Sequence, residues 1–140
     1  MLPLQRKKQT IIVTCLIEHN NKILLLRGSE YANDVCKAYA GYFVLPRFTL
    51  PFGGNPAELI SAELKEQFGQ SVKNMKVLTI TEHMTDQTTQ IIELVYGISV
   101  NKARSRHGRF SFIGKDKLKD FLFPDEIKRI QTYFSKRKNR

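Results

Sequence analysis

The sequence predicts one domain of mixed α and β structure, in the α/β (α+β) class. Three stretches carry that prediction. They are β-branched apolar runs at 11–17 and 89–100, a helix signalled at both ends over Pro56–Phe68, and a proline-led amphipathic helix from Pro124 onward. A chain of 140 residues can bury roughly two thirds of its unfolded surface in one core. Its hydrophobic fraction of 41% and charged fraction of 26% suit a globular protein in water. No apolar run approaches the roughly 20 residues that a membrane helix needs, so no membrane span is expected. The start, MLPLQRKKQT, leads into no secretory apolar segment with a cleavage site, so a cytoplasmic location is expected. Cys15 and Cys36 are too few for a disulfide framework or a zinc site and are expected to be reduced and partly buried.

Residues 10–18, TIIVTCLIE, are apolar and β-branched enough for a strand buried on both faces. The polar group His19, Asn20, Asn21 marks a turn, and Lys22–Arg27, KILLLR, completes a hairpin. Residues 28–41 lack periodicity and read as a long loop of the kind that borders functional sites, with Tyr31 and Tyr39 able to stack on a base. A short strand at 42–45 leads to the central helix. There Asn55 is the N-cap, Pro56 takes the first position, Glu58 can close a capping box, and Gly69 ends the helix. Ala57, Ile60, Leu64 and Phe68 recur at helical spacing and are expected to face the core. Strands at 72–82 and 89–100 follow, then a polar basic loop at 101–108 and a short strand at 109–113. Residues 115–121 show helical spacing. The last helix places Asp125 and Glu126 in its first turn and an apolar stripe at Ile127, Ile130, Tyr133 and Phe134.

The formal charge of +10 stands out, and it is concentrated. Arg6, Lys7 and Lys8 lie in a basic N-terminal segment, 1–9. Lys102, Arg104, Arg106 and Arg109 cluster at the loop over 102–109, and Lys136, Arg137, Lys138 and Arg140 lie in a basic tail, 135–140. The domain proper is expected to occupy 10–134. Such a balance points to anionic partners such as nucleotides or nucleic acid, although basic ends also occur simply as solvated tails. His19, His83 and His107 stand apart from one another and form no catalytic arrangement visible in the sequence.

Glu63 and Glu66 lie three apart on the central helix, away from the Leu64 face. Two like charges at that spacing repel by a few tenths of a kcal/mol unless a cation lies between them, and a hard divalent ion with oxygen ligands is one such cation. The stretch 45–69 resembles a Nudix box, the pattern glycine, five residues, glutamate, seven residues, then Arg-Glu-apolar-x-Glu-Glu-x-Gly. Glu63, Glu66 and Gly69 match it, as does the frame of Leu45-Pro46, Gly53 and Asn55-Pro56. Phe48, Gly54, Ala62 and Gln67 replace the pattern's first glycine, isolated glutamate, arginine and last glutamate. The likeness runs from about Thr10 to Phe134 and includes the ending FIGKDKLKDFLFPDEIKRI.

The resemblance implies a Nudix-like α/β/α sandwich with a mixed sheet between helices. It also implies a divergent, metal-dependent hydrolase of a nucleoside diphosphate linked to another group, or of a similar phosphate compound. Glu63 and Glu66 would be catalytic, and Glu63, Glu66 and Gln67 would hold Mg²⁺ or Mn²⁺, weakly because Gln67 has lost a charge. Glu82 or Glu93 would complete the metal site from outside the box. Arg27 and Phe48 would contact a nucleotide or phosphorylated small molecule. The alternative is a catalytically impaired Nudix-fold binding module for nucleotide, RNA or another polyanion. The oligomeric state is left open.

Overall fold

The computed structural model describes residues 7–27, 43–101, 110–120 and 124–138. The loop at 28–41 with Tyr31, Cys36 and Tyr39, the side chain of Arg27, and the cations of 102–109 lie outside the described residues, as do Arg6, the side chains of 136–138 and Arg140.

Strand β1 (Lys8–His19) turns through Asn20 and Asn21, both in the left-handed region, into β2 (Lys22–Arg27). Asparagine tolerates that conformation, which is why a two-residue turn forms here without glycine. Short strands β3 (Phe43–Val44) and β4 (Arg47–Thr49) precede helix α1 (Pro56–Phe68). Strands β5 (Val72–Met84), β6 (Thr89–Val100) and β7 (Phe110–Gly114) follow, then a 3-10 segment (Lys115–Asp120) and helix α2 (Pro124–Lys138). The seven strands form one mixed sheet ordered β3-β2-β1-β6-β5, with β4 beside β1 and β7 beside β2. The β1–β6 pair is parallel and the others are antiparallel.

Alternation along the strands divides the core in two. Val13, Cys15, Ile17, Leu24 and Leu26 pack with Ile60, Leu64 and Phe68 of α1. Their neighbours Leu16, Ile23, Leu25 and Val95 pack with Ile130 and Tyr133 of α2. The molecule is therefore a mixed sheet with a helix on each face, and β1 is buried on both sides as its composition predicts. The α1 N-cap is as predicted, with the Glu58 backbone N–H donating to Asn55 Oδ1 at 3.1 Å. Gly69 closes the helix at φ 63°, where its N–H reaches the Lys65 carbonyl. Ala57 departs from expectation. It lies in the first turn, short of the sheet, and is exposed, while Leu59 is partly buried against the core instead. Leu64 is fully buried, and truncating such a leucine to alanine costs about 2–5 kcal/mol. Residues 115–120 wind as a 3-10 helix rather than an α-helix. No helix among the described residues is long and apolar enough to cross a membrane.

Candidate functional site

Strand β4 is where the two faces of the sheet meet. Arg47 turns towards α2 and Phe48, next in the chain, turns towards α1. The predicted substrate contact Phe48 is 4% exposed, and its ring belongs to the α1 core. The turn after β4 carries Gly53 at φ 77° and closes through a bond from the Gly54 N–H to the Pro51 carbonyl at 2.8 Å. A Cβ on Gly54 would stand 2.9 Å from that same carbonyl oxygen. This turn therefore has no room for the glutamate that the box pattern places at 54.

Glu63, Glu66 and Gln67 share the outer side of α1. Glu66 and Gln67 are exposed and Glu63 is half-buried. The Gln67 side-chain amide donates to Glu63 Oε2, one helical turn away, so the box's last position now offers a donor to a carboxylate. Ala62, at the box arginine, is exposed and supplies no guanidinium to either acid. The donor chemistry still suits a divalent ion. Mg²⁺ takes hard oxygen ligands and is commonly held by one or two carboxylates together with substrate phosphates and water. Among the described residues no group of three His, Cys, Asp or Glu is placed to hold a metal ion. Glu63 and Glu66 supply carboxylate oxygens of the kind such an ion takes. Bound there, such an ion would neutralise phosphate charge and activate water.

Of the two acids considered from outside the box, Glu82 is exposed on β5, and Glu93 is committed elsewhere. Glu93 faces α2, within a cluster of four charged side chains. Thr14 donates to Glu93 Oε2 at 2.6 Å, Arg129 Nη2 donates to Glu93 Oε1, and Arg47 Nε lies 3.7 Å from Oε2. Arg47, 3% exposed, donates through Nη2 to Glu126, and Arg129 Nη1 reaches the second Glu126 oxygen at 3.4 Å. Arg129 Nε also donates to the Tyr133 hydroxyl at 3.2 Å. Burial alone would raise the Glu93 carboxyl, but the Thr14 hydroxyl and the Arg129 and Arg47 guanidiniums outweigh it and hold the group below its ordinary range. Burial likewise works against the Arg47 charge, and Glu126 and Glu93 more than restore it.

Arg47, Glu93, Arg129 and Tyr133 of this group line a hollow of about 500 Å³ between α2 and the sheet. Ile12 and Ile91 give it apolar walls, and Thr79, Thr81 and His83 project into it from β5. A register shift between Val77 and Thr79 turns both Leu78 and Thr79 to this face, one into the core and one into the hollow. The sequence reading missed this cluster. Its one local trace is a cation at 47 inside the apolar stretch LPRFTL, followed much later by Glu126 and Arg129 at helical spacing.

The architecture defines a class: an α/β/α protein in which one helix displays carboxylates beside a turn and the opposite helix shelters a polar hollow. By sequence the chain matches no protein-family model and no curated protein. By structure it is similar to a Nudix hydrolase from Nitrosomonas europaea, with TM-score 0.65 and 17% identity over 91% of this chain and 89% of the other. A UDP-X diphosphatase matches 99% of this chain with 66% of its own, at TM-score 0.68 and 18% identity. The Nudix domain of Shewanella oneidensis NrtR, solved with ADP ribose, matches at TM-score 0.63 and 11% identity, over 94% of this chain and 89% of that one. The chain has the Nudix fold.

Proposed function

We propose that this protein is a divergent, metal-dependent Nudix-type hydrolase that cleaves a diphosphate linkage in a nucleoside diphosphate joined to another group. The observation that carries the reading is the survival of Glu63 and Glu66 on the outer side of α1, in a chain that shares the fold over nearly its whole length. The hollow beside α2 lies on the other face of the sheet; its size is within the usual range for small-molecule pockets, and its two arginines are already met by two glutamates, so it offers no surplus charge to a phosphate. Arg27 and Gln67 remain proposed contributors, with Gln67 acting only if its amide turns its oxygen outward, whereas Phe48 is built into the α1 core.

The test is the appearance of the two phosphomonoester products, AMP with ribose 5-phosphate from ADP-ribose or UMP with a sugar phosphate from UDP-linked sugars, in Mg²⁺ or Mn²⁺, with Glu66→Gln alongside. Turnover that needs metal and disappears in a folded Glu66→Gln variant is the expected result. A second reading, a binding module without turnover, is favoured by the Gln67 amide on Glu63. Saturable binding of the same compounds with no phosphomonoester products in either metal would establish that reading instead.

A further inference from the structure

At the opposite end of the same three long strands lies a second hollow, of about 290 Å³. The β1–β2 turn, the start of β5, the end of β6 and the first residue of the 3-10 segment converge there. Lys73 and Lys115 enter from different elements, and Asn21, Ser99 and Asn101 add neutral hydrogen-bonding groups. His19 and Asn20 form a fixed wall. The His19 Nδ1 lies 2.9 Å from the Val100 carbonyl, and its Nε2 lies 3.1 Å from the Asn20 amide nitrogen.

The charge around this hollow is unbalanced. Among its described lining residues, Glu18 is the only acid against two ammonium groups. Lys115 Nζ lies 3.3 Å from Glu18 Oε1 and 4.4 Å from the Phe134 ring centre, and burial pulls its pKa down. Lys73 is exposed and pairs with no described acid. The sequence continues directly from Asn101 to Lys102, Arg104, Arg106 and Arg109.

We propose that this hollow is a binding site for the phosphate group of a phosphate ester, held between Lys73 and Lys115 with the amides of Asn21 and Asn101 around it. A phosphate here gives Lys73 the acid partner that the described residues do not supply, and gives Lys115 a second one beside Glu18. The space exceeds that of one phosphate, so an attached sugar is accommodated, and the group belongs either to a small ester or to a nucleic-acid strand. The site lies apart from α1 and from the hollow beside α2, and it does not depend on hydrolysis.

The experiment is an amide NMR titration of the full chain, first with inorganic phosphate and then with a single-stranded octauridylate, followed by anisotropy titrations of the oligonucleotide at several salt concentrations. Saturable shifts at Asn21, Lys73, Ser99 and Asn101 are expected with both probes. On a single strand each phosphate contact contributes a log–log salt slope of about 0.7, so Lys73→Gln should flatten the slope by about that amount. Lys76→Gln, also exposed on β5 but outside the hollow, should leave it unchanged, as should Glu66→Gln. An octauridylate bound at least about tenfold tighter than free phosphate identifies the strand as the source, because several contacts then act together. Equal affinity for both probes keeps the site and assigns it to small esters. No saturable shift with either probe, or equal flattening by Lys73→Gln and Lys76→Gln, overturns the proposal, since only diffuse surface charge would then be acting.

Discussion

The two faces of the sheet hold charge in opposite ways. Facing α2, Arg47, Glu93, Glu126 and Arg129 close on one another, and Arg47 and Glu126 are each 3% exposed. Facing outward from α1, Glu63 and Glu66 keep their contact with solvent, and the nearest described partner is a neutral amide. A buried charge must be matched within the protein, so it is committed to architecture. An exposed carboxylate can exchange water for a ligand at little cost. The difference separates charges that build the fold from charges that are available for chemistry.

The comparison breaks most sharply at Glu126. Glu126→Ala leaves Arg47 buried without its main partner and should cost about 3–5 kcal/mol in urea denaturation. Replacing both, Arg47→Met with Glu126→Leu, should recover most of that loss. A single-variant cost under about 1 kcal/mol, the range of a surface pair, would show that the cluster is not closed in solution.

Acid offers a second, smaller lever. The folded Glu93 carboxyl lies below its ordinary range, so it binds protons less readily than the unfolded chain does. Its contribution to stability is therefore complete above the unfolded value of about 4.3 and is lost as pH falls from there towards the folded value. Melting temperature measured from pH 7 downward should show this acid limb, and Glu93→Gln should flatten it. If Glu93→Gln leaves the limb unchanged, the α2-side cluster is not what titrates.

The smallest effect on stability, and the sharpest test of the α1 face, is Gln67→Glu. A second carboxylate four residues from Glu63 should cost a few tenths of a kcal/mol, since like charges at that spacing repel. Mn²⁺ affinity, followed by calorimetry or relaxation, should rise because the site gains a charged oxygen ligand. Equal affinity in the two proteins would mean that residue 67 does not face the ion.

Much of this was legible in the sequence where the determinants are local. Asn55, Pro56 and Gly69 bound α1 because caps act within one turn, and Thr89–Val100 is a strand over the length its β-branched run suggests. The cluster facing α2 was not legible, because Arg47 and Glu126 lie 79 residues apart and nothing near Arg47 announces its partner. Strand β4 was missed because three residues are too few for a period to show. Gly54 could be read only as a departure from a pattern. The turn explains it, since the backbone at Pro51 occupies the space a side chain would need.

The parallel ladder between β1 and β6 sets an order of events for the growing chain. Gln9 and Gln90, which face each other across it, lie 81 residues apart. Until β6 has been synthesised, β1 can pair only with β2 and β4, and one edge of its apolar run stays open. Such an edge is a template for pairing with other chains, and distant pairings form slowly. A chain stalled or truncated before Thr89 would therefore expose the segment that is most thoroughly buried at the end. During synthesis that edge stays open until β6 arrives to close the sheet.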